Sequence, residues 1–425
     1  MRILKLGSVG PSVQLLQLAL GRAGTAALEL DGIFGAKTRD AVMHFQSDNG
    51  LSADGIVGQQ TTRALMPYYT GYAVHRVHRG DTLFSIAKMH NAELSAILTA
   101  NPSISAENLQ IGSSVIVPLP FDIVPTNIAF TSALVSYCVR GIAARYPSVK
   151  SGRVGTSVMG SPLWFLAIGS GSNRVFYNAS HHANEWITTP VVLRFFELLA
   201  REAAQNGSIF GHSAQELINA ASVYIAPCVN PDGVDLVTGE LTSGEYYQSA
   251  VKIARDYPAI PFPSGWKANI RGTDLNLQYP AGWEQARENK FAQGFVSPAP
   301  ADYVGSAPLS APESRAMYDF TLSLSPKLIL AYHTQGKVIY WRYLDYEPAG
   351  SREIADTFAA VSGYAVEDTP YASGFAGYKD WFIQNFNRPG YTIEAGIGQN
   401  PLPISQFDEI FSDNLGILTL APLLI

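Results

Sequence analysis

Three kinds of hydrophobic patterning succeed one another along the chain. Over residues 1–66, Val13, Leu15, Leu16, Leu18 and Leu20 mark one helix face, and two turn-then-helix segments follow it. Asp31-Gly32-Ile33-Phe34-Gly35 leads into residues 37–42, and Asp54-Gly55-Ile56-Val57-Gly58 leads into 61–65. In each copy the glycines are free to take positive φ where the turn feeds a helix. A small three-helix unit with an internal repeat is expected. Pro67 opens a short linker. Beyond it, shorter apolar clusters predict strand, helix, helix, strand over residues 72–118. The first strand is His75-Arg76-Val77, and a helix starts at Gly80-Asp81-Thr82-Leu83 with Asp81 as its N-cap. A second helix carries Leu94, Ile97 and Leu98 and ends near Asn101-Pro102. Ser114-Val115-Ile116-Val117-Pro118 closes the module.

From residue 121 onward the apolar runs lengthen. They predict a helix around 129–145, strands near 155–159, 163–168 and 174–178, a helix at 190–202, and strands at 223–227, 328–332 and 391–393. Strands alternating with long helices indicate an α/β domain, a mixed twisted sheet covered by helices on both faces. The expected domains are 1–67, 72–119 and 121–425. In open α/β sheets, sites lie outside the carboxyl ends of the strands.

Composition narrows the class. At 425 residues the chain exceeds one ordinary core, and 47% hydrophobic against 15% charged residues describes a globular protein. A net charge of -6 with scattered basic residues argues against nucleic-acid binding. Cys138 and Cys228 are the only cysteines, which excludes a disulfide framework and a thiolate metal site; whether they pair is left open. No window is long and apolar enough to span a bilayer, and the first residues show no secretory signal.

Two short stretches carry the candidate chemistry. Ser180-His181-His182-Ala183-Asn184-Glu185-Trp186 and Tyr332-His333-Thr334-Gln335-Gly336 each follow an apolar run that reads as a buried strand. They supply His182, Glu185 and His333, a ligand set suited to one catalytic zinc with an open position. A histidine three residues from an acid is weak by itself, since chance supplies roughly 0.7 such pairs in a chain of this composition. Two further pairs, His78 with Asp81 and His90 with Glu93, read as a capping residue and solvated surface. His182 and Glu185 differ because a strand ends just before them and a helix opens just after. His181 reads as a hydrogen-bonded neighbour.

Several motifs resemble known families. The doubled Asp-Gly-Ile-x-Gly of residues 1–67 resembles the peptidoglycan-binding domain of bacterial wall hydrolases. Residues 72–119, with Gly-Asp-Thr-Leu and a closing Val-Pro, resemble a LysM domain, which implies binding to N-acetylglucosamine-containing glycans. His182-Ala183-Asn184-Glu185-Trp186, Asn230-Pro231-Asp232-Gly233, Tyr332-His333-Thr334-Gln335-Gly336 and Tyr391-Thr392-Ile393-Glu394 together resemble the zinc metallocarboxypeptidase family. The resemblance implies that His182, Glu185 and His333 hold one zinc ion and that Glu394 is the general base and then the proton donor. It implies that Asp274 hydrogen-bonds the first zinc histidine. Arg271 is favoured over Lys267 as oxyanion stabiliser for its guanidinium, Lys267 being kept as a substrate-binding group. Tyr371 fits the tyrosine that covers the substrate, with Tyr378 as a competitor.

One departure narrows the substrate. Carboxypeptidases of this family clamp a free carboxylate with an Asn-Arg pair, whereas this chain has Asn276 followed by Leu277. Asp274-Leu275-Asn276-Leu277-Gln278-Tyr279-Pro280-Ala281 resembles instead a bacterial subgroup that cuts peptidoglycan stem peptides between γ-D-glutamate and an L-diamino acid, commonly meso-diaminopimelate. The resulting expectation is a zinc-dependent wall or spore-cortex endopeptidase with peptidoglycan as its partner. A carboxypeptidase of altered specificity and an inactive wall-binding protein are the rivals.

Overall fold

The computed structural model describes residues 3–105 and 107–425. The chain forms two compact units, one of residues up to Ala129 together with Ser136–Lys150, the other of Phe130–Val135 together with Ser151–Ile425. The first unit thus extends past residue 119. Arg145 accounts for part of this, its guanidinium donating to the carbonyls of Gly71, Leu119 and Phe121.

Helices Pro11–Arg22, Ala36–Asp48 and Gln59–Thr70 pack Val13, Leu16, Phe34, Val42, Phe45 and Leu65 into a core of their own. The sequence echo has a structural cause. Gln17, buried on the first helix, donates to Asp31 Oδ1 (2.7 Å) and accepts from Gly32 N (3.0 Å). Gln46 on the second helix does the same to Asp54 Oδ1 (2.9 Å) and Gly55 N (2.9 Å). Gly32 and Gly55 take φ of 70° and 71°, which a side chain would resist.

The LysM-like module pairs β1 (Tyr72–Arg76) with β2 (Ser114–Pro118), antiparallel, around helices Leu83–Met89 and Leu94–Ala100. The second helix stops where the Asn101 amide donates to Ile97 O and Ile116 O while its carbonyl accepts from Ile116 N. One expectation fails here. Thr82, not Asp81, is the N-cap, in a reciprocal pair with Ser85. The Asp81 carboxylate turns instead to His75 (2.9 Å) and His78 N (2.7 Å).

The second unit is built on an eight-stranded sheet. Its strands are β3 (Lys150–Thr156), β4 (Pro162–Ile168), β5 (Asn173–Ala179), β8 (Ala221–Ala226), β9 (Leu328–His333), β10 (Val338–Tyr340), β11 (Ala365–Glu367) and β12 (Gly390–Glu394). β6 (Ser208–Ile209) and β7 (His212–Ser213) form a separate hairpin. The order is β11-β10-β12-β9-β5-β8-β4-β3, with β12, β9, β5 and β8 parallel and β4 and β10 antiparallel to their inner neighbours. Side-chain alternation sends Phe176 to the face packed by Tyr378, Trp381 and Phe382 of helix Tyr378–Phe386. Tyr177 goes to the opposite face, its hydroxyl donating to Leu418 O of helix Phe407–Leu420 at 3.0 Å. The strand expected at 155–159 ends instead at Thr156, because residues 157–161 form a turn. Ser157 N donates to Ser161 O there, and Asp232 accepts from Ser157 Oγ and Met159 N. Both cysteines are buried thiols, and they are not joined in a disulfide. Among the described residues no helix is long and apolar enough to cross a membrane.

Candidate metal centre

The carboxyl ends of β5, β9 and β12 meet at one place. β5 ends at Ala179, and Ser180 turns the chain with a left-handed φ of 53°. Its hydroxyl lies against the hydroxyls of Thr188 (3.1 Å) and Thr189 (2.8 Å), the first residues of helix Thr188–Gln205. That tight exit carries His181 and His182 inward, and the short turn Ala183–Glu185 brings Glu185 alongside. Asn230 fastens the segment, its amide donating to His181 O and Ala268 O while its carbonyl accepts from Gly233 N.

His182 Nδ1 lies 2.9 Å from Glu185 Oε1 and 3.2 Å from His333 Nδ1, and His333 Nδ1 lies 2.9 Å from Glu185 Oε2. All three side chains are buried. Two ring nitrogens and a carboxylate therefore face one point, at spacings close to the edges of about 3.3 Å expected between ligands bonded to zinc at about 2.0–2.1 Å. The field there favours a cation. Burial opposes protonation of His182, yet the Glu185 and Asp274 carboxylates raise its proton affinity above the ordinary imidazole value. The donor set thus fits a divalent ion. The remaining ring nitrogen of His182, Nε2, lies 3.1 Å from Asp274 Oδ1. His181 is indeed a hydrogen-bonded neighbour, its Nε2 lying 3.1 Å from Tyr279 Oη.

Glu394 ends β12 and stands in register beside His333. Burial, reinforced by the nearby Glu185 charge, pushes its carboxyl above the usual carboxylate range, while Lys267 and His182 pull it back. It lines a cavity of about 260 Å³ together with His182, Lys267, Asp274, Asn276, Leu277 and His333.

Arg271 requires a correction. It is exposed and lines a different groove, with Tyr246, Lys252 and Asp256. Asn269 Oδ1 accepts from both Arg271 N and Thr273 N, and Gly272 adopts φ of 77°, so the loop reverses and throws Arg271 outward. Lys267, by contrast, lines the cavity beside His182 and Glu394. Its carbonyl accepts from Ala183 N at 3.0 Å, beside His182. Against burial, the carboxylates of Glu185, Asp274, Asp302 and Glu394 raise its proton affinity.

Asn276 and Leu277 sit on the short turn Leu275–Leu277, capped by Asp274. Asn276 Oδ1 accepts from Tyr378 N at 2.9 Å. Tyr378 itself is buried, its hydroxyl 2.8 Å from Thr321 Oγ1. Tyr371 stands at 66% exposure, edge-on to Phe375 and outside the cavity, though the adjoining Pro370 and Ser373 line it. Sequence reasoning missed Lys290 and Lys379, which also line the cavity. Lys290 pairs with Asp302 (2.5 Å) and Lys379 with Asp380 (2.7 Å). Neither lies in a motif.

A metal-type donor set at the strand ends of a mixed sheet, with a half-buried carboxylate alongside, is the layout of an α/β metallohydrolase. Residues 136–416 match the family model described as zinc carboxypeptidase, and the chain belongs to that family. Residues 9–65 match a peptidoglycan binding domain and 75–118 a LysM domain, so the chain also carries two modules of wall-binding type. It is 44% identical over 279 residues, 66% of this chain and 68% of the relative, to gamma-D-glutamyl-L-diamino acid endopeptidase 1 of Lysinibacillus sphaericus. It is 39% identical over 283 residues, 66% of this chain and 73% of the relative, to the uncharacterized protein YqgT of Bacillus subtilis (strain 168). The fold is similar to bovine thrombin-activatable fibrinolysis inhibitor in complex with tick carboxypeptidase inhibitor. That match has a TM-score of 0.54 at 20% identity and covers 70% of this chain and 98% of that one, a likeness of fold alone.

Proposed function

We propose that this protein is a zinc-dependent endopeptidase of the bacterial cell wall or spore cortex, cutting the bond between γ-D-glutamate and the L-centre of a diamino acid such as meso-diaminopimelate in peptidoglycan stem peptides. The observation that carries this reading is the cavity wall formed by Asn276 and Leu277, where no arginine among the described residues stands to grip a terminal carboxylate. Support comes also from the name of the relative that is 44% identical and from two wall-binding modules that would raise the local concentration of enzyme at the polymer.

In this reading His182, Glu185 and His333 hold one zinc ion. When bound, zinc supplies Lewis acidity that lowers the pKa of water and polarises the scissile carbonyl. Glu394 takes the proton of the attacking water and returns it to the leaving amine, and its raised proton affinity suits a group that must hold a proton between two steps. Lys267 steadies the negative charge developing on the carbonyl oxygen. Asn276 orients the substrate, Asp274 fixes the ring of His182, and Tyr371 covers the cavity mouth.

The test is digestion of purified muropeptides with product identification by mass. Release of the diamino acid end of the stem from γ-D-glutamate is expected. Release only of C-terminal amino acids from ordinary peptides would overturn the specificity.

A further inference from the structure

The first unit contains a second convergence of metal-type donors, within the LysM-like module. His75 lies on β1, His78 and Asp81 in the turn that follows, and His90 at the end of helix Leu83–Met89. His75 Nε2 is 2.9 Å from Asp81 Oδ2, and His78 Nδ1 is 3.7 Å from the same oxygen. These spans bracket the edge of about 3.3 Å expected of a zinc tetrahedron with bonds of about 2.0–2.1 Å.

The surroundings favour an ion over a chance meeting of side chains. Because Thr82 and Ser85 cap the helix, the Asp81 carboxylate is not consumed there. Asp81 Oδ2 accepts from His78 N at 2.7 Å, which shapes the turn that holds the His78 ring near the other donors. His75 is buried in the module, with Nδ1 3.2 Å from His90 Nε2. With Nδ1 donating to His90, Nε2 of His75 presents its lone pair beside the Asp81 carboxylate 2.9 Å away, so both can turn to one ion at their side. A histidine that ligates a metal commonly donates its other ring nitrogen in this way. The His78 ring, 74% exposed, leaves the group reachable from solvent.

We infer that the LysM-like module binds one divalent transition ion, zinc by preference, through His75, His78 and Asp81, with His90 setting the tautomer of His75. Two imidazoles and a carboxylate suit zinc rather than calcium or magnesium. The ion would tie the end of β1 to the turn that starts the first helix. The inference is independent of the peptidase reading.

The experiment uses the full chain, stripped with chelator, dialysed against micromolar zinc and counted by elemental analysis. Wild type is expected to hold two zinc ions per chain and His78→Ala one, since loss of an exposed ring leaves the fold intact by circular dichroism. His333→Ala is expected to retain one, and the double variant none. Asp81→Asn is expected to weaken the module's zinc affinity at least tenfold. Equal zinc content in wild type and His78→Ala overturns the inference, as does uptake of the second equivalent only at millimolar zinc.

Discussion

Asp274 Oδ1 lies 3.1 Å from His182 Nε2, on the side of the ring opposite the nitrogen that faces Glu185 and His333. The carboxylate fixes which nitrogen carries the proton and leaves Nδ1 free for a metal. Its own proton affinity is depressed: burial opposes ionisation, but His182 and Lys267 outweigh it. Replacing such a partner typically costs about 10–100-fold in metal affinity. Asp274→Ala is therefore expected to weaken zinc binding by about that factor, read by competition with a chromogenic chelator. An unchanged affinity would mean that the ring is held by packing alone.

Glu394 stands in register with His333 but outside the group of three converging donors. Its removal should separate chemistry from metal binding. Glu394→Gln is expected to lower kcat by about 10²–10⁴-fold, the usual range for a positioned general base, while zinc content stays at the wild-type level. Parallel loss of zinc and activity would place Glu394 among the ligands instead.

Lys267 and Arg271 should differ sharply. Lys267 lines the cavity with Glu394 and His182, whereas Arg271 lines another groove. Lys267→Met is expected to cost about 10²–10³-fold in kcat, the range for loss of one oxyanion donor. Arg271→Ala is expected to remain within a factor of about three of wild type. The reverse ranking in steady-state assays would restore the guanidinium to the mechanism.

These contrasts show where the sequence is readable. His182, Glu185, His333 and Glu394 are legible because each lies at the end of an apolar run, and a parallel sheet gathers its strand ends. The repeated Asp-Gly turns are legible because glycine conformation and helix starts are local matters. The choice between Lys267 and Arg271 is not, since it depends on a tight loop set by Asn269 and Gly272. Lys290 and Lys379 reach the cavity from helices whose position only tertiary packing decides. β10 and β11 span three residues each, too short to show a period. The cap at Asp81-Thr82 is not legible either, since both residue types can cap, and Thr82 does so while the Asp81 carboxylate goes to His75.

The N-terminal repeat offers a stability test. Gln46 satisfies Asp54, Gly55, Ile56 and Thr61 from one buried amide. Gln46→Ala would strand the buried Gly55 N–H, and leaving such a group unpaired costs about 1–3 kcal/mol. Gln14 makes one bond, to Leu30 O, at a half-buried site. Denaturant unfolding of the N-terminal unit is expected to show a loss of about 2–3 kcal/mol for Gln46→Ala and less than about 1 kcal/mol for Gln14→Ala. Equal losses would deny the buried amide its organising role.

Asp235 predicts a dependence on pH. Ser132 donates to it twice, through N–H at 2.8 Å and hydroxyl at 2.5 Å. Burial nevertheless pushes the carboxyl up to about 7, the Ser132 bonds only partly offsetting it. The unfolded value is about 3.9. Because the folded value is the higher one, the group supports the fold while protonated, and that support is lost as pH rises through about 7. Asp235→Asn keeps the shape, its carbonyl accepting from Ser132 N and its amide donating to Ser132 Oγ, without a charge. The variant should therefore gain stability over wild type between about pH 6 and 8, approaching an upper bound of about 4 kcal/mol because part of the group still meets solvent. At about pH 5 the advantage should be much smaller. Calorimetric melting at the two pH values checks this, and an advantage that does not grow with pH would show that Asp235 stays ionised in the folded chain.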